Sequence, residues 1–412
     1  MFLFVICVGI VLFINIVHAA EQLTLEQALA LAERNHPRLQ EAAAAMEGAG
    51  AGMITARAYP NPSLDFTLGD QTARVSGAIP GFYQYYVFSQ PLELPSLRQP
   101  RLEAAEQGRV SSEFALAETR LAVQTAVRHA FFESLRWEGT ITLARETLRL
   151  IEELRHRIQV RVDVGEAGRL ELIRADAEVA TARTFANTAQ LQLVAAISAL
   201  RAAIGGTIGT DINPEGALES PPVLPPLAVV RQKVLDTHPA LRQARAEVRR
   251  AEAALKTEIA LRTPQPSVRF EWERLPETTL YRFGLAFPLP LWNRREGPIG
   301  EAQAALRRAR AALDRQTIEV SAALESAYGR YEVAGQQVTA FETGMLQEAE
   351  EAVRAAEAAY QLGERGIIDV LDAQRVFRSV RLGFLNAQFD RQAALTDLRR
   401  LHVLDVNSMP TP

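Results

Sequence analysis

The sequence predicts a mainly α-helical protein with a small β part, built from two similar halves. Two runs rich in Ala, Arg and Glu, residues 97–162 and 297–362, each cover 66 positions. At 1.5 Å per residue each helix would be about 100 Å long, several times the average for a globular protein. Helices of this length need partners along their whole course, so the pattern predicts a long coiled coil or a helical tube.

A repeated pair of glycines predicts the two halves. Gly165 and Gly168 follow the first long run, and Gly363 and Gly366 follow the second with the same spacing, 198 residues later. Glycine commonly ends a helix because it adopts the left-handed conformation without steric cost. Each pair therefore predicts the turn of a helical hairpin, and the repetition predicts a duplicated chain.

A second repeated motif marks where each half begins. His36-Pro37 and His238-Pro239 lie 202 residues apart, and each follows a short amphipathic segment and opens a helix. In each half the combined length of the two shorter helices is close to the length of the long helix, so the two can lie end to end beside it. These shorter helices are predicted at 37–58, 170–205, 239–262 and 367–405.

The chain divides into five predicted segments. They are a signal peptide at 1–19, a first repeat at 20–205, an equatorial linker at 206–226, a second repeat at 227–405 and a tail at 406–412. The apolar run 1–17 ends in Val-His-Ala-Ala, which fits signal-peptidase cleavage after Ala19. A retained N-terminal anchor helix is the alternative.

The composition argues against several classes of protein. With 45 basic and 49 acidic residues, the chain has no basic surface for nucleic acid. Its single cysteine, Cys7, falls in the predicted signal peptide without a lipobox, so the mature chain would carry no thiol, as suits an exported protein. The histidines lack metal-ligand spacing, and no nucleophile–base or phosphate-binding motif is present. We therefore expect no catalytic residue, metal or cofactor.

Four segments alternate apolar and polar residues and are predicted as strands. They lie at about 62–70, 82–94, 266–275 and 279–291. The clearest is VRFEWE, residues 268–273, in which Val, Phe and Trp share one face and Arg and Glu the other. The aromatic content favours a membrane β-barrel. Because four strands cannot close a barrel, either the strands form a soluble sheet or several chains share one barrel, and three copies would give twelve strands.

The second glycine turn lies in the motif YQLGERGIIDVLDA, residues 360–373. With this motif and its two repeats, the chain resembles the TolC-type outer-membrane factors, the trimeric exit ducts of bacterial tripartite efflux pumps. The resemblance covers essentially all of the mature chain. The Asn-His-Pro opening and the Pro-Leu-Pro-Leu-Trp strand end look most like the metal- and cation-efflux branch of that family.

The resemblance implies a homotrimer with a transmembrane β-barrel of twelve strands in the outer-membrane lipid. Twelve helices would form an α-helical coiled-coil barrel that extends into the periplasm. It also implies a passive channel, opened at its periplasmic tip once a periplasmic adaptor and an inner-membrane transporter of the resistance-nodulation-division type engage it. The four turn glycines, Gly165, Gly168, Gly363 and Gly366, would form the tips that contact the adaptor.

The resemblance also assigns site residues one by one. Asp369 and Asp372 match the aspartates that ring the closed periplasmic entrance. Tyr360 and Arg365 match the tyrosine and arginine that tie neighbouring helical hairpins shut. Glu171, in the first repeat, falls where the family has an acidic acceptor for these ties.

Simpler interpretations exist for the same residues. Asp369 and Asp372 lie in the first turn of a helix, where acids favour the helix dipole by about 0.3–1 kcal/mol. Arg365 and Glu171 could form an exposed ion pair of little energetic value. Leu170 stands where the family can carry a hydrogen-bonding residue, which leaves that part of the latch open. For the whole chain the alternative is a periplasmic coiled-coil scaffold or adaptor without a membrane barrel.

Overall fold

The chain packs as two compact units in a computed structural model that describes residues 21–72, 74–77, 79–206, 209 and 212–403. The first unit contains the chain up to His36, Val123–Pro221 and Arg330–Thr396; the second contains Pro37–Ala122, Pro222–Gly329 and the chain from Asp397. The predicted signal peptide and the predicted tail lie outside the described residues.

Helices make up most of the described chain, which confirms the predicted fold class. They are α1 (Leu25–Asn35), α2 (Pro37–Arg57), α3 (Pro95–Asp163), α4 (Arg169–Ile204), α5 (Leu227–Thr237), α6 (Pro239–Ala260), α7 (Glu296–Ala340), α8 (Leu346–Gln361) and α9 (Ile367–Arg400). Within the described ranges, no helix combines the length and apolarity that crossing a membrane requires.

Six strands form two sheets in the described chain. They are β1 (Glu21–Leu23), β2 (Ser63–Gln71), β3 (Gly81–Pro91), β4 (Ile212–Pro214), β5 (Ser267–Arg274) and β6 (Thr279–Ala286). The second unit holds a four-stranded antiparallel sheet in the order β2-β3-β5-β6. The first unit holds a short parallel pair, β1 with β4, which the sequence did not predict. Its segments carry no alternating pattern long enough to reveal it.

One face of the four-stranded sheet is aromatic. Phe270 in β5 lies opposite Phe88 in β3 and Phe283 in β6, and its ring is 4.9 Å from that of Phe283. One pair along, Trp272 lies opposite Tyr86 with their rings 5.1 Å apart. Phe283 is 81% exposed, so this face is apolar yet uncovered within the single chain.

The opposite face of the sheet carries the charges. Arg282 in β6 donates to Glu271 at 3.3 Å and to Glu273 at 2.6 Å, both in β5. The division of residues 268–273 into an apolar face and a charged face, predicted from their alternation, is therefore confirmed. The last strand is shorter than predicted, because β6 ends at Ala286 and Pro288 and Pro290 lack the N–H groups that would extend it.

The second long helix, predicted as unbroken over 297–362, is interrupted. A π-helical turn, Phe341–Met345, separates α7 from α8, and Gly344 within it leaves the helical conformation (φ 173°, ψ −45°). The ring of Phe341 occupies a notch on α9 made by Gly383, where a Cβ atom would lie 3.0 Å from the Phe341 Cζ atom. Phe384 flanks the notch, with its ring 6.0 Å from that of Phe341. The chain therefore kinks here, and α8 does not continue α7 as one regular helix.

A buried histidine joins α5 to α6 in the second unit. His238 is 3% exposed, and its Nδ1 accepts the N–H of Ala240, which caps α6. The His402 ring lies 6.4 Å away, and the Glu118 carboxylate, which pairs with Arg400, lies 4.0 Å away. Burial, and after it the proximity of His402 and Arg400, lowers the pKa of His238 to about 4.

This depressed pKa predicts an acid-dependent loss of stability. Between pH 6.5 and 4 the unfolded chain binds a proton at His238 that the folded chain does not, so the contribution of His238 to stability is fully present above pH 6.5 and is lost as the pH is lowered towards 4. The full loss would be about 3 kcal/mol per chain. Thermal unfolding in detergent at several pH values measures it.

The substitution His238→Asn tests the assignment, because asparagine keeps a capping group but does not titrate. We expect His238→Asn to flatten the pH dependence, and His156→Asn, at an exposed position on α3, to leave it unchanged. If stability fell equally steeply with decreasing pH in the wild type and in His238→Asn, His238 would not be the source of the pH dependence.

The Phe341 notch gives a second prediction. Gly383→Val places a branched side chain where the Phe341 ring lies, and we expect a loss of about 1–3 kcal/mol from overpacking. In the Phe341→Leu background the same substitution should cost less, since the smaller side chain leaves room. A double-mutant cycle by denaturant unfolding measures the coupling energy between the two positions. An equal loss of unfolding free energy in both backgrounds would show that Phe341 does not pack against Gly383.

Candidate functional site

The two glycine turns have the same backbone structure. Gly165 and Gly363 adopt φ values of +79° and +77°. Each turn closes with a hydrogen bond typical of a helix C-terminus. The bonds run from the Glu166 N–H to the Arg161 carbonyl, 2.8 Å, and from the Glu364 N–H to the Ala359 carbonyl, 3.0 Å. Because partners in the two turns lie 198 positions apart, the duplication extends to individual hydrogen bonds.

The two hairpins pack on each other around one apolar core in the first unit. The buried members are Leu154, Ile158, Ala175, Ile367, Val370 and Leu371, and the partly buried ones include Val162, Leu172, Ala356 and Tyr360. Three pairs in this cluster are related by the same 198-residue offset: Ile158 with Ala356, Val162 with Tyr360, and Leu172 with Val370. The hairpins are thus held together by equivalent positions of the two repeats.

A hydrogen bond joins the two hairpins beside this core. The Tyr360 hydroxyl, at the end of α8, donates to Glu171 Oε2, at the start of α4, across 3.2 Å. The Arg161 guanidinium lies over the Tyr360 ring, 4.8 Å from its centre. Burial, and after it the nearby Glu171 carboxylate, raises the pKa of Tyr360. Tyr360 therefore stays protonated and can donate to Glu171 at neutral pH.

Arg365 is not part of this contact within one chain. It lies in the turn and is exposed. Its backbone N–H donates to the Ala359 carbonyl at 3.3 Å. Its side chain forms no hydrogen bond or ion pair with the part of the chain that the structure describes. The structure thus brings two of the three predicted latch residues together and leaves the third facing outward.

The two predicted pore aspartates are both exposed but differ in their surroundings. The Asp369 N–H donates to the Gly366 carbonyl at 3.2 Å, as the Glu171 N–H does to Gly168 in the first repeat, at 2.9 Å. The Asp369 carboxylate pairs with no group in the described residues. Asp372 is 62% exposed and accepts from Arg375 Nη1 at 3.1 Å.

Arg375 and Glu178 form a contact that was not predicted from the sequence. Arg375, on α9, donates from Nε to Glu178 Oε1, on α4, at 2.8 Å, and the Glu178 side chain is only 5% exposed. The hydrogen bond to Glu178, and after it the charge of that carboxylate, raises the pKa of Arg375. A signal was present: Glu178 follows Ala175 by three positions and precedes Ala182 by four, so it lies on the buried stripe of α4.

A cavity of about 330 Å³ opens beside the Tyr360 contact, between the end of α3 and the end of α8. Its walls carry both charges and apolar groups. They are formed by residues that include Arg157, Arg161, Glu166, Glu357, Tyr360 and Val370.

Comparison with known proteins matches both halves of the chain. The family model described as "Outer membrane efflux protein" matches residues 28–206 and 230–402. The cobalt-zinc-cadmium resistance protein CzcC of Cupriavidus metallidurans is 28% identical over 390 residues, which cover 93% of this chain and 90% of CzcC.

Solved structures share the fold at low sequence identity. The crystal structure of CusC superposes with a TM-score of 0.78 at 18% identity, covering 92% of this chain and 91% of CusC. The outer-membrane channel OprN superposes with a TM-score of 0.80 at 16% identity, covering 92% and 89%. The family match excludes the alternative hypothesis of a periplasmic scaffold without a membrane barrel. The family is one of channels rather than of enzymes. This chain belongs to the outer membrane efflux protein family, the TolC-type outer-membrane channels of tripartite efflux pumps.

Proposed function

We propose that this protein is a homotrimeric exit duct for divalent transition-metal cations, with its acidic entrance at the glycine-turn tips. In this proposal a periplasmic adaptor couples it to an inner-membrane transporter of the resistance-nodulation-division type. The observation that carries the proposal is the placement of Asp369 and Asp372: both carboxylates are exposed, next to a turn held against its repeat-related partner.

The four-stranded sheet supports a shared barrel. Its edge strands, β2 and β6, leave a row of backbone N–H and C=O groups without partners within the sheet. One face is apolar and exposed, with Leu64, Phe66, Phe283 and Leu285 all more than half exposed. Such a face suits contact with lipid, and the charged face with Glu271 and Arg282 suits a water-filled interior. Three copies would supply twelve strands, enough to close a barrel.

Cation selectivity follows from bringing the aspartates of three chains together. Six carboxylates at one constriction would attract cations, as acidic rings do in other cation pores. The relative CzcC is named for resistance to cobalt, zinc and cadmium, which favours divalent metal ions as the cargo.

The hydrogen bond from Tyr360 to Glu171 supports a closed resting state of the tip. Such a bond contributes about 1 kcal/mol, and three copies would bias the channel towards closure without locking it. Arg365, which is exposed and unpaired within the described chain, is available to bind a neighbouring copy. In this proposal it forms the tie between chains that opening must break.

The cavity beside Tyr360 supports adaptor contact at the tips. A partner helix that presents apolar and charged side chains would match its mixed lining. Because Arg161 and Tyr360 line the cavity and also take part in the hairpin contact, occupation of the cavity can loosen the gate.

Planar bilayer recordings of the purified protein test the pore assignment. We expect Asp369→Ala combined with Asp372→Ala to abolish block by cobalt(II), because the ring loses its charge. We expect Arg365→Ser to raise single-channel conductance, because it removes the tie between copies.

A matched control is Asp176→Ala, which removes a carboxylate on α4 that is 49% exposed and paired with Arg155. It should change neither conductance nor block. Unchanged cobalt(II) block in the double-alanine variant would show that the cation ring lies elsewhere. Unchanged conductance in Arg365→Ser would contradict the proposed tie between copies.

A further inference from the structure

We propose that Arg375 is a positioning residue of this gate with two tasks. It ties α9 to α4 through Glu178, and it neutralises Asp372, so that Asp369 is the carboxylate left to attract cations in the resting channel. The inference rests on the proposed function, because it concerns the same acidic entrance.

The tie to α4 is built around a buried carboxylate. Glu178 occupies a core position between Ala175 and Ala182, and its side chain is 5% exposed. A buried carboxylate is costly unless it is paired and hydrogen-bonded. Arg375 meets this need with a fork: Nε to Oε1 at 2.8 Å and Nη2 to Oε2 at 3.5 Å. The pairing therefore fixes which turn of α9 lies beside Glu178.

The remaining arm of the guanidinium reaches the acidic entrance. Nη1 of Arg375 donates to Asp372 at 3.1 Å, one helical turn back along α9. The Arg375 guanidinium therefore compensates the charge of Asp372, whereas the Asp369 carboxylate has no partner in the described chain. In a trimer, three of the six entrance carboxylates would be compensated and three would not.

The tie is present in one repeat only. At the 198-residue offset, the counterpart of Arg375 is Ala177 and that of Glu178 is Val376. The second hairpin is thus held to the first by an ion pair that has no symmetric copy. A movement of α9 that displaces Asp372 must break this ion pair or carry α4 with it.

Two variants separate the two tasks of Arg375. Glu178→Met removes the tie but leaves Arg375 beside Asp372, and an apolar side chain suits this core position. Glu178→Met with Arg375→Gln removes the tie and also the charge that neutralises Asp372. Each is recorded in planar bilayers for conductance and for block by cobalt(II), after circular dichroism melting has shown that it folds.

We expect both variants to show higher conductance than the wild type. Relative to Glu178→Met, the variant with both substitutions should be blocked at about tenfold lower cobalt(II) concentration, since a full carboxylate charge returns close to the ion. Adding Asp372→Asn to that variant should reverse the gain. A purely structural role for Arg375 would not produce this reversal. Asp176→Ala, which breaks the exposed pair with Arg155, serves as the control and should resemble the wild type.

The outcomes distinguish this inference from the function on which it rests. If Asp369→Ala with Asp372→Ala leaves cobalt(II) block intact, the acidic entrance itself is wrong. If that variant loses block but Glu178→Met and Glu178→Met with Arg375→Gln have equal block, Arg375 does not neutralise Asp372. If Glu178→Met leaves conductance at the wild-type value, the ion pair does not restrain the tip.

Discussion

The packing of one glycine-turn hairpin against the other positions the residues of the candidate gate that make contacts within the chain. Buried side chains from both repeats, such as Ile158 and Val370, form one core. Because that core fixes the helices, Tyr360 reaches Glu171 and Arg375 reaches Glu178. Each hydrogen bond contributes little by itself. The apolar core supplies the stability, so in the proposed gate the polar contacts would set the resting position of the tip and still break on opening.

The four-stranded sheet depends on a different constraint. Its aromatic face is uncovered and its edges, β2 and β6, are unpaired within the sheet, two features that a water-soluble protein avoids. Both features are explained if lipid covers the aromatic face and the strands of further copies pair with the edges. The outer-membrane localisation of the family gives the first condition. The pairs formed by Arg282 with Glu271 and Glu273 leave the other face polar.

Local patterns were sufficient to predict much of this structure. The alternation in residues 268–273 described β5, and the glycine pairs described both hairpin turns. The contact between Tyr360 and Glu171 was anticipated through the family resemblance. The break at Phe341–Met345 was not predicted from Gly344 alone, because a single glycine is tolerated within a helix, and the packing of Phe341 against Gly383 joins residues that are distant in sequence. The ion pair between Arg375 and Glu178 was missed for a similar reason: its recognition requires knowing which face of α9 meets the buried stripe of α4.

Disulfide cross-linking between edge strands tests most directly whether this chain is one third of a shared channel. In a single chain β3 and β5 separate β2 from β6 by about 14 Å, too far for a disulfide, so a bond between these edges must join two copies. Cys7 is the only native cysteine, which allows cysteines to be scanned along β2 and β6 in outer membranes. A barrel shared by three copies predicts a single preferred register and covalent products that end at three copies. Products that exceed three copies, or no bond in any register, would contradict it.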